Sequence, residues 1–347
     1  MVGLLGQASL KLGELAGLVR NFPDIDLIIP SFARREALLS SKIEGTQSTL
    51  ENLYAYEAGR KDIDQLADTV EVHNYVRALE YGLSKLKEMP PCLRLIREMH
   101  AILMEGVRGQ NWNPGSFRTF QNYIGLPGAT FEEASYVPPP PNEMQKAMNL
   151  LETYINTPTN EPPLIKLGLI HYQFEAIHPF PDGNGRVGRI LLPLLLCYWQ
   201  IFPQPVFYMS AYFEEHRLDY YNRLLWVSQY GDWGSWLEYF LQGISLQAED
   251  VSTRIKEVLN LLNRYRESLE DDPTAGKLIK CVEYIASHPV LTVNRLSKDL
   301  GIHYPTANRY IQRLEEAGIL EETTGGERNR VFQAREIIRI LKRPLSG

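Results

Sequence analysis

Cysteine is scarce in this chain: Cys92, Cys197 and Cys281 are its only three, far apart and outside any CxxC spacing. That pattern excludes a disulfide framework and a cysteine zinc site, and it leaves buried thiols. Long apolar runs are missing as well, since nothing approaches the roughly 18 consecutive apolar residues of a membrane span. The opening MVGLLGQASLKLGEL has no basic stretch ahead of a long apolar core, so no secretory signal is expected. These absences together predict a cytoplasmic protein with no membrane partner. An excess of positive charge is lacking too: the net charge of −6 argues against nucleic-acid binding over the whole surface. The charge is uneven, however. Residues 276–347 carry 12 Lys+Arg against 8 Asp+Glu, a net +4, which leaves −10 for residues 1–275.

A chain of 347 residues is expected to hold about two domains. Apolar residues recur at spacings of three and four from Phe32 to Tyr56, Thr69 to Leu86, Leu93 to Gly106, Asn142 to Asn156 and Leu164 to Ile177, which predicts helices. RILLPLLLCYW is apolar all round and reads as a central buried helix, with a kink expected at Pro193. Glu214 to Tyr230 and Trp233 to Glu270 read as helices, the second broken near Gly243. The good strand signal before residue 318 is FQNYIGLPGATFEEASYVPPPP, read as a hairpin running into a polyproline stretch. Asp271 to Gly276 is the best linker, lying where the charge balance changes sign. Beyond it the order helix, helix, helix, hairpin predicts a winged helix-turn-helix, with Pro305 opening its third helix, Gly318 closing it, and Gly325-Gly326 at the hairpin tip.

One segment concentrates chemistry. HPFPDGNGRVGR, residues 178–189, formally matches the dinucleotide fingerprint GxGxxG, but that motif requires a strand before it, and here a helix precedes. His171, Glu175 and His178 on one helix lack the HExxH spacing of a zinc protease. A plain glycine turn would need one or two glycines and none of the charges. As chemistry, Gly183-Asn184-Gly185 can converge backbone N–H groups on a phosphate at the N-terminus of the next helix. Asp182 supplies a hard oxygen for Mg²⁺. Arg186 and Arg189, three apart, can fork onto phosphate oxygens. His178 has the resting pKa of a base for an attacking hydroxyl. The set reads as a phosphoryl- or nucleotidyl-transfer site.

The segment also resembles the Fic family signature HxFx[D/E]GNGRxxR at every defined position: His178, Phe180, Asp182, Gly183, Asn184, Gly185, Arg186 and Arg189. The resemblance implies a mainly α Fic fold, a helical core with a β-hairpin flap, that binds ATP and Mg²⁺ and transfers AMP to a Tyr, Thr or Ser hydroxyl of a target protein. In that scheme His178 is the base and Asp182 holds the metal. Asn184 with the Gly183 and Gly185 amides holds the α- and β-phosphates, and Arg186 and Arg189 hold the outer ones. SSKIEGTQ, residues 40–47, taken alone carries an ordinary surface glutamate near a helix irregularity. It resembles the family's inhibitory-helix pattern [S/T]xxxE[G/N] through Ser40, Glu44 and Gly45, which implies that Glu44 pairs with Arg189 and that Ser40 braces the helix. The resemblance further implies a target-binding flap, with Glu133, Ala134, Ser135 and Tyr136, and a nucleotide border at Tyr220, Tyr221 and Ser228.

These readings predict an N-terminal helical region (1–89) with an inhibitory helix around 40–45, a Fic core (90–245), a helical connector (246–275) and a winged helix (276–347). Expected partners are ATP, a protein target, and DNA or a docking protein at residues 276–347, with a homodimer left open. Two alternative functions stand beside AMP transfer. One is AMP removal, or transfer of another nucleotidyl or phosphocholine group, on the same site; the other is a DNA-binding regulator whose Fic core senses nucleotide.

Overall fold

The computed structural model describes all residues except 61, 108–112, 126, 127, 129, 326–329 and 346–347. Helices dominate: α1 (Val2–Asn21), α2 (Ile29–Ile43), α3 (Leu50–Glu57), α4 (Leu66–Lys85), α5 (Leu93–Leu103), α6 (Pro141–Asn156), α7 (Pro163–Ile177), α8 (Asn184–Tyr198), α9 (Ser210–Glu215), α10 (Arg217–Tyr230) and α11 (Trp233–Glu267). The C-terminal unit follows as α12 (Ala275–Ser287), β1 (Val290–Thr292), α13 (Val293–Asp299), α14 (Tyr304–Glu316), β2 (Glu321–Glu322), β3 (Val331–Gln333) and α15 (Arg335–Lys342). None of these helices is long and apolar enough to cross a membrane.

α8 is the central helix. Val187, Ile190, Leu191, Leu192 and Leu194 to Leu196 are all buried, and α8 packs on α2, α4, α5 and α7, so it has no solvent face to leave polar. Pro193 lies inside one continuous helix and does not divide it. Proline opens α6, α7 and α14, where its missing N–H has no intrahelical partner to lose.

Several sequence expectations need correction. The single helix expected from Phe32 to Tyr56 is two: Glu44 is the first residue past α2, and Gly45 at φ +95° takes a left-handed turn that L side chains resist. His216 likewise separates α9 from α10. The break expected near Gly243 is absent, and α11 runs 35 residues without interruption. Gly243 answers to packing instead, because a Cβ there would lie 2.5 Å from Tyr212 Cδ1 and 2.8 Å from Met209 Cε.

The expected hairpin between Asn122 and Tyr136 is, among the described residues, one antiparallel bridge between Ile124 and Tyr136. The Ile124 N–H donates to Tyr136 O (2.8 Å), and the Ser135 and Tyr136 N–H groups donate back to Ile124 O (2.8 and 3.1 Å). The ladder stops there for two reasons. Glu133 and Ala134 spend their N–H groups on turn bonds to Thr130 O and Phe131 O, and the prolines from Pro138 onward have no N–H to donate. Leu126, Pro127 and Ala129 of the expected turn lie outside the described residues, as does Gly326 of the C-terminal hairpin tip.

The C-terminal unit is a winged helix-turn-helix with a three-stranded antiparallel sheet in the order β1-β3-β2. β1 was not expected, since three residues are too few to display alternation, and α15 fills a stretch to which no element was assigned. The unit docks through buried polar contacts. Ser31 Oγ donates to Ala286 O (2.8 Å) and Arg35 Nε to Leu341 O (2.9 Å). Arg254, fully buried and paired with Asp250, donates to Arg343 O (2.7 Å) and Pro344 O (3.0 Å) just past the end of α15, where free carbonyls favour a cation.

Candidate active site

The turn between α7 and α8 holds the signature residues. His178 ends α7 in the left-handed region (φ 50°, ψ 60°), with its N–H on Phe174 O (3.1 Å). Asn184 closes the turn with its side chain: Oδ1 accepts from the Phe180 N–H (2.8 Å) and Nδ2 donates to Phe180 O (2.8 Å). What Asn184 offers a phosphate is therefore its backbone N–H, its amide being occupied. Gly183 begins α8 at φ +77°, and a Cβ there would lie 2.9 Å from Met104 Sδ.

Two residues that the sequence reading passed over hold this turn. His100, an apparently ordinary member of the α5 face, accepts from the Gly115 N–H at Nδ1 (2.8 Å). Its Nε2 therefore carries the hydrogen and donates to Asp182 O (3.0 Å), while its ring stacks on Phe180 at 3.7 Å. Arg118, buried, spends its guanidinium on carbonyls: Nε on His178 O (2.9 Å), Nη1 on Phe120 O (3.2 Å), and Nη2 on Pro139 O (2.5 Å) and Ile177 O (3.4 Å). One side chain thus ties the end of α7 to the polyproline stretch after the flap. Its place two residues ahead of the strand-like run that begins at Phe120 was the available signal.

The surroundings of the His178 ring fix its tautomer and its charge. Nδ1 lies 3.3 Å from Glu175 O, which can only accept, so the hydrogen sits on Nδ1 and Nε2 is the basic nitrogen. Burial pushes its pKa down to about 4, against the opposing pull of the Glu175 carbonyl and the Glu44 charge. At neutral pH the imidazole is uncharged. His100 and His171 are likewise pushed by burial down to about 4 and about 3. Histidines whose folded pKa lies below the unfolded value of about 6.5 contribute their full stability above that value and lose it as pH falls and the unfolded chain gains protons first. The free energy of unfolding should therefore fall between pH 6.5 and 5, by up to about 1.4 kcal/mol per pH unit for each histidine, and the melting temperature with it. A calorimetric profile flat across that window would contradict these environments.

Arg189 is buried and held by α2 and the residue after it: Nε donates to Ser40 Oγ (2.7 Å), and Nη2 to Ser40 O (2.9 Å) and Glu44 Oε1 (2.5 Å). Burial pushes the Glu44 carboxyl up, but Arg189, with help from Arg186 and His178, outweighs it and holds the pKa below the usual carboxylate value. A Cβ on Gly185 would collide with Glu44 Oε1 and lie 2.8 Å from Arg189 Nη1. The Glu44 carboxylate thus rests on the first turn of α8, where the helix dipole and unpaired N–H groups favour an anion.

Arg186 does not share this face. It is buried with Nη1 on Glu71 Oε2 of α4 (3.3 Å) and Nη2 near Met104 Sδ (3.7 Å) and Asp182 Oδ1 (3.7 Å). Glu71, which gave no signal in the sequence, faces it across the helix packing. Asp182 is half exposed and accepts from the Gly183 N–H (2.6 Å). No group of three or more His, Cys, Asp or Glu able to hold a metal occurs among the described residues. A single exposed carboxylate beside a phosphate seat still fits Mg²⁺, which takes most of its shell from phosphate and water.

Tyr220 is buried with its hydroxyl on His171 Nε2 (2.9 Å), while Tyr221 is exposed on the same helix. Ser228 Oγ pairs with the Tyr172 hydroxyl (2.9 Å). On the flap, Glu133 caps Thr130 N (2.9 Å) and Tyr136 anchors on Ala176 O (2.9 Å), two residues before His178; Ala134 and Ser135 lie between them at the bridge.

Comparison with known proteins agrees with this geometry. A Fic/DOC family N-terminal model matches residues 2–84, a Fic/DOC family model residues 90–196, and a winged helix-turn-helix DNA-binding model residues 279–321. The protein adenylyltransferase Fic of Drosophila grimshawi is 28% identical over 161 residues, 44% of this chain and 31% of that protein. A probable protein adenylyltransferase of Aquifex aeolicus is 50% identical over 66 residues, 18% of this chain and 20% of that protein. The chain thus matches less than a third of the length of these relatives. A Fic family protein from Desulfovibrio desulfuricans G20 shares the fold with a TM-score of 0.59 at 22% identity, covering 95% of both chains. Fic-1 (residues 134–508) from C. elegans does so at 0.57 and 19%, covering 75% of this chain and 74% of that one. The two Fic/DOC models together span more than half of the sequence, from the helix that carries Ser40 to the turn and helix that carry His178 and Arg189, and the chain belongs to the Fic/DOC family, with a winged helix-turn-helix at its C-terminal end.

Proposed function

We propose that this chain is a protein adenylyltransferase held in check by Glu44. The observation that supports it best is a neutral, oriented histidine beside an anion seat that a carboxylate of the same chain fills. In the reaction the target's Tyr, Thr or Ser hydroxyl oxygen attacks the α-phosphorus of ATP while its proton passes to Nε2 of His178. The bond from the α-phosphorus to the oxygen bridging to the β-phosphate breaks, and pyrophosphate leaves. The first-turn N–H groups of α8 face the phosphates, and Arg189, once free of Glu44, takes the outermost one. Arg186, fixed by Glu71, shapes the turn from beneath. Asp182 would hold Mg²⁺, which neutralises phosphate charge when bound. The Ile124–Tyr136 bridge leaves a neighbouring backbone edge on which an extended target segment can add. Incubation with labelled ATP and a lysate, followed by mass spectrometry for AMP-bearing side chains, tests the reading; no AMP on any protein, including this one, with Glu44 removed would overturn it.

For the C-terminal unit the matched family favours DNA docking. α14, the third helix of the motif, keeps Tyr304, Arg309 and Gln312 exposed, although Arg313 is engaged by Asp272 (2.7 Å). The full chain should be retained on a random-sequence duplex at low salt and released steeply as salt rises, as phosphate neutralisation requires. Absence of retention at any salt would leave α14 to a protein partner.

A further inference from the structure

Arg189 is 1% exposed, and a guanidinium so placed cannot lose its carboxylate without a replacement. Stripping one partner from a buried ion pair leaves an uncompensated charge, a change far costlier than breaking a surface pair. Activation as proposed above withdraws Glu44, so the structure has to supply another counter-ion until nucleotide arrives.

α8 carries two carboxylate seats one turn apart. Glu44 Oε1 rests on Gly185, and Glu175 Oε1 rests on Gly188 so closely that a Cβ at Gly188 would collide with it. The Gly185 seat adjoins the guanidinium, whose Nη1 lies 2.8 Å from the Cβ position of Gly185, and Glu175 on the next seat lies within the field of the same charge. The two carboxylates differ in their bonding. Glu44 is taken by Arg189, while Glu175 Oε1 is buried with no hydrogen-bond partner. A buried acceptor without a partner is destabilising, and such atoms call for an explanation. Glu36 also lies in the field of Arg189, but it is already held by Ser210 Oγ (2.5 Å), Ser210 N–H (3.3 Å) and the Tyr75 hydroxyl (3.2 Å).

We propose that Glu175 receives the Arg189 guanidinium when Glu44 withdraws, and is thereby a second, interior competitor with nucleotide for the same arginine. The inference rests on the adenylyltransferase reading only for its kinetic readout. Glu175 is a positioning residue: it acts through Arg189 and touches no reacting atom.

The groups facing Glu175 set its response to pH. They are Arg189 from α8, Glu44 from the end of α2, and Tyr220 and Tyr221 from α10, while His178 follows it by one turn on α7. Burial pushes the carboxyl up to about 7, Arg189 pulls it down, and Glu44 pushes it up again. Removing Glu44 removes that repulsion, so the carboxyl ionises more readily. Ionised, it holds Arg189 against the incoming phosphate; protonated, it lets go.

The test compares Glu44→Gly with Glu44→Gly/Glu175→Gln across pH 6 to 8, reading KM and kcat for ATP in AMP transfer and, separately, ATP affinity by calorimetry. The ratio of the two variants' KM values should grow by roughly tenfold from pH 6 to pH 8, the most a single proton allows per pH unit being tenfold, with the weaker binding in the variant that keeps Glu175. The titration of ATP itself cancels in the ratio, and kcat should move little. Glu44→Gly/Glu175→Asp retains the charge and should retain the pH dependence, which separates the proposal from simple loss of packing. Parallel KM and affinity profiles with and without Glu175 would overturn it. Should Glu44→Gly transfer no AMP at all, the adenylyltransferase reading fails, while the calorimetric profiles still decide the role of Glu175.

Discussion

Glu44→Gly is expected to raise AMP transfer roughly ten- to hundredfold. The bond it removes is a charge-assisted one of 2.5 Å between Glu44 Oε1 and Arg189 Nη2, and such bonds are worth about 1.5 to 3 kcal/mol. Glu44 is about one-third exposed, so solvent screening places the effect at the lower end of that range. Under the proposed function the carboxylate competes twice with nucleotide, for the guanidinium and for the positive end of α8, and the substitution removes both terms together. The substitution is conformationally mild, because residue 44 already lies outside α2 at φ −85°, ψ 2°, and Gly45 makes the turn. Glu44→Gln, which keeps the shape and loses the charge, should give an intermediate rate. Radiolabel transfer to lysate proteins measures all three, and equal rates for wild type and Glu44→Gly would end the case for self-inhibition. A wild type that strips AMP from a modified target while Glu44→Gly adds it would instead assign Glu44 to the reverse reaction.

Replacing His178 should abolish transfer, with a loss of about 10² to 10⁴ for the base alone and ATP affinity largely kept. The choice of replacement matters. His178 sits at φ 50°, a left-handed conformation that costs most L residues roughly 1 to 2 kcal/mol and that asparagine tolerates best. His178→Ala therefore combines lost chemistry with backbone strain in the very turn that Arg118 and Asn184 hold. His178→Asn isolates the chemistry. Its expected signature is unchanged ATP binding by calorimetry with no label transferred, in the Glu44→Gly background. Transfer at more than a few per cent of the parent rate would place the base elsewhere.

Much of this was legible locally. Glycine, asparagine and proline positions announce left-handed turns and helix starts because they act on the dihedrals of their own neighbourhood. That is why the turn at Gly183, the start of α14 at Pro305 and the cap at Gly318 could be read directly. Gly45 belongs to the same class, yet helical periodicity on both sides masked it, and one helix was expected where two stand. Gly243 and Gly188 show the converse, glycines whose reason is a distant side chain and not a turn. The flap failed for a mixed reason: its alternating residues look like strand, but its donors are consumed by a turn and by prolines.

By itself, then, the sequence determined a chain of helices with a basic winged unit at one end and a phosphate-shaped turn between two helices, because spacing and backbone preference are properties of short segments. Which partners meet is a property of the tertiary structure, and the Glu44–Arg189 pair was expected only through the family resemblance, not from composition or spacing. Arg189 and Glu44 are 145 positions apart and Arg186 and Glu71 are 115 apart, so which arginine meets a carboxylate depends on which faces of α2, α4 and α8 are pressed together. The same packing placed Arg118 on four carbonyls and left Glu175 buried beside an arginine already taken. Charge pairing inside a protein is settled by burial and distance, and neither exists until the helices have met.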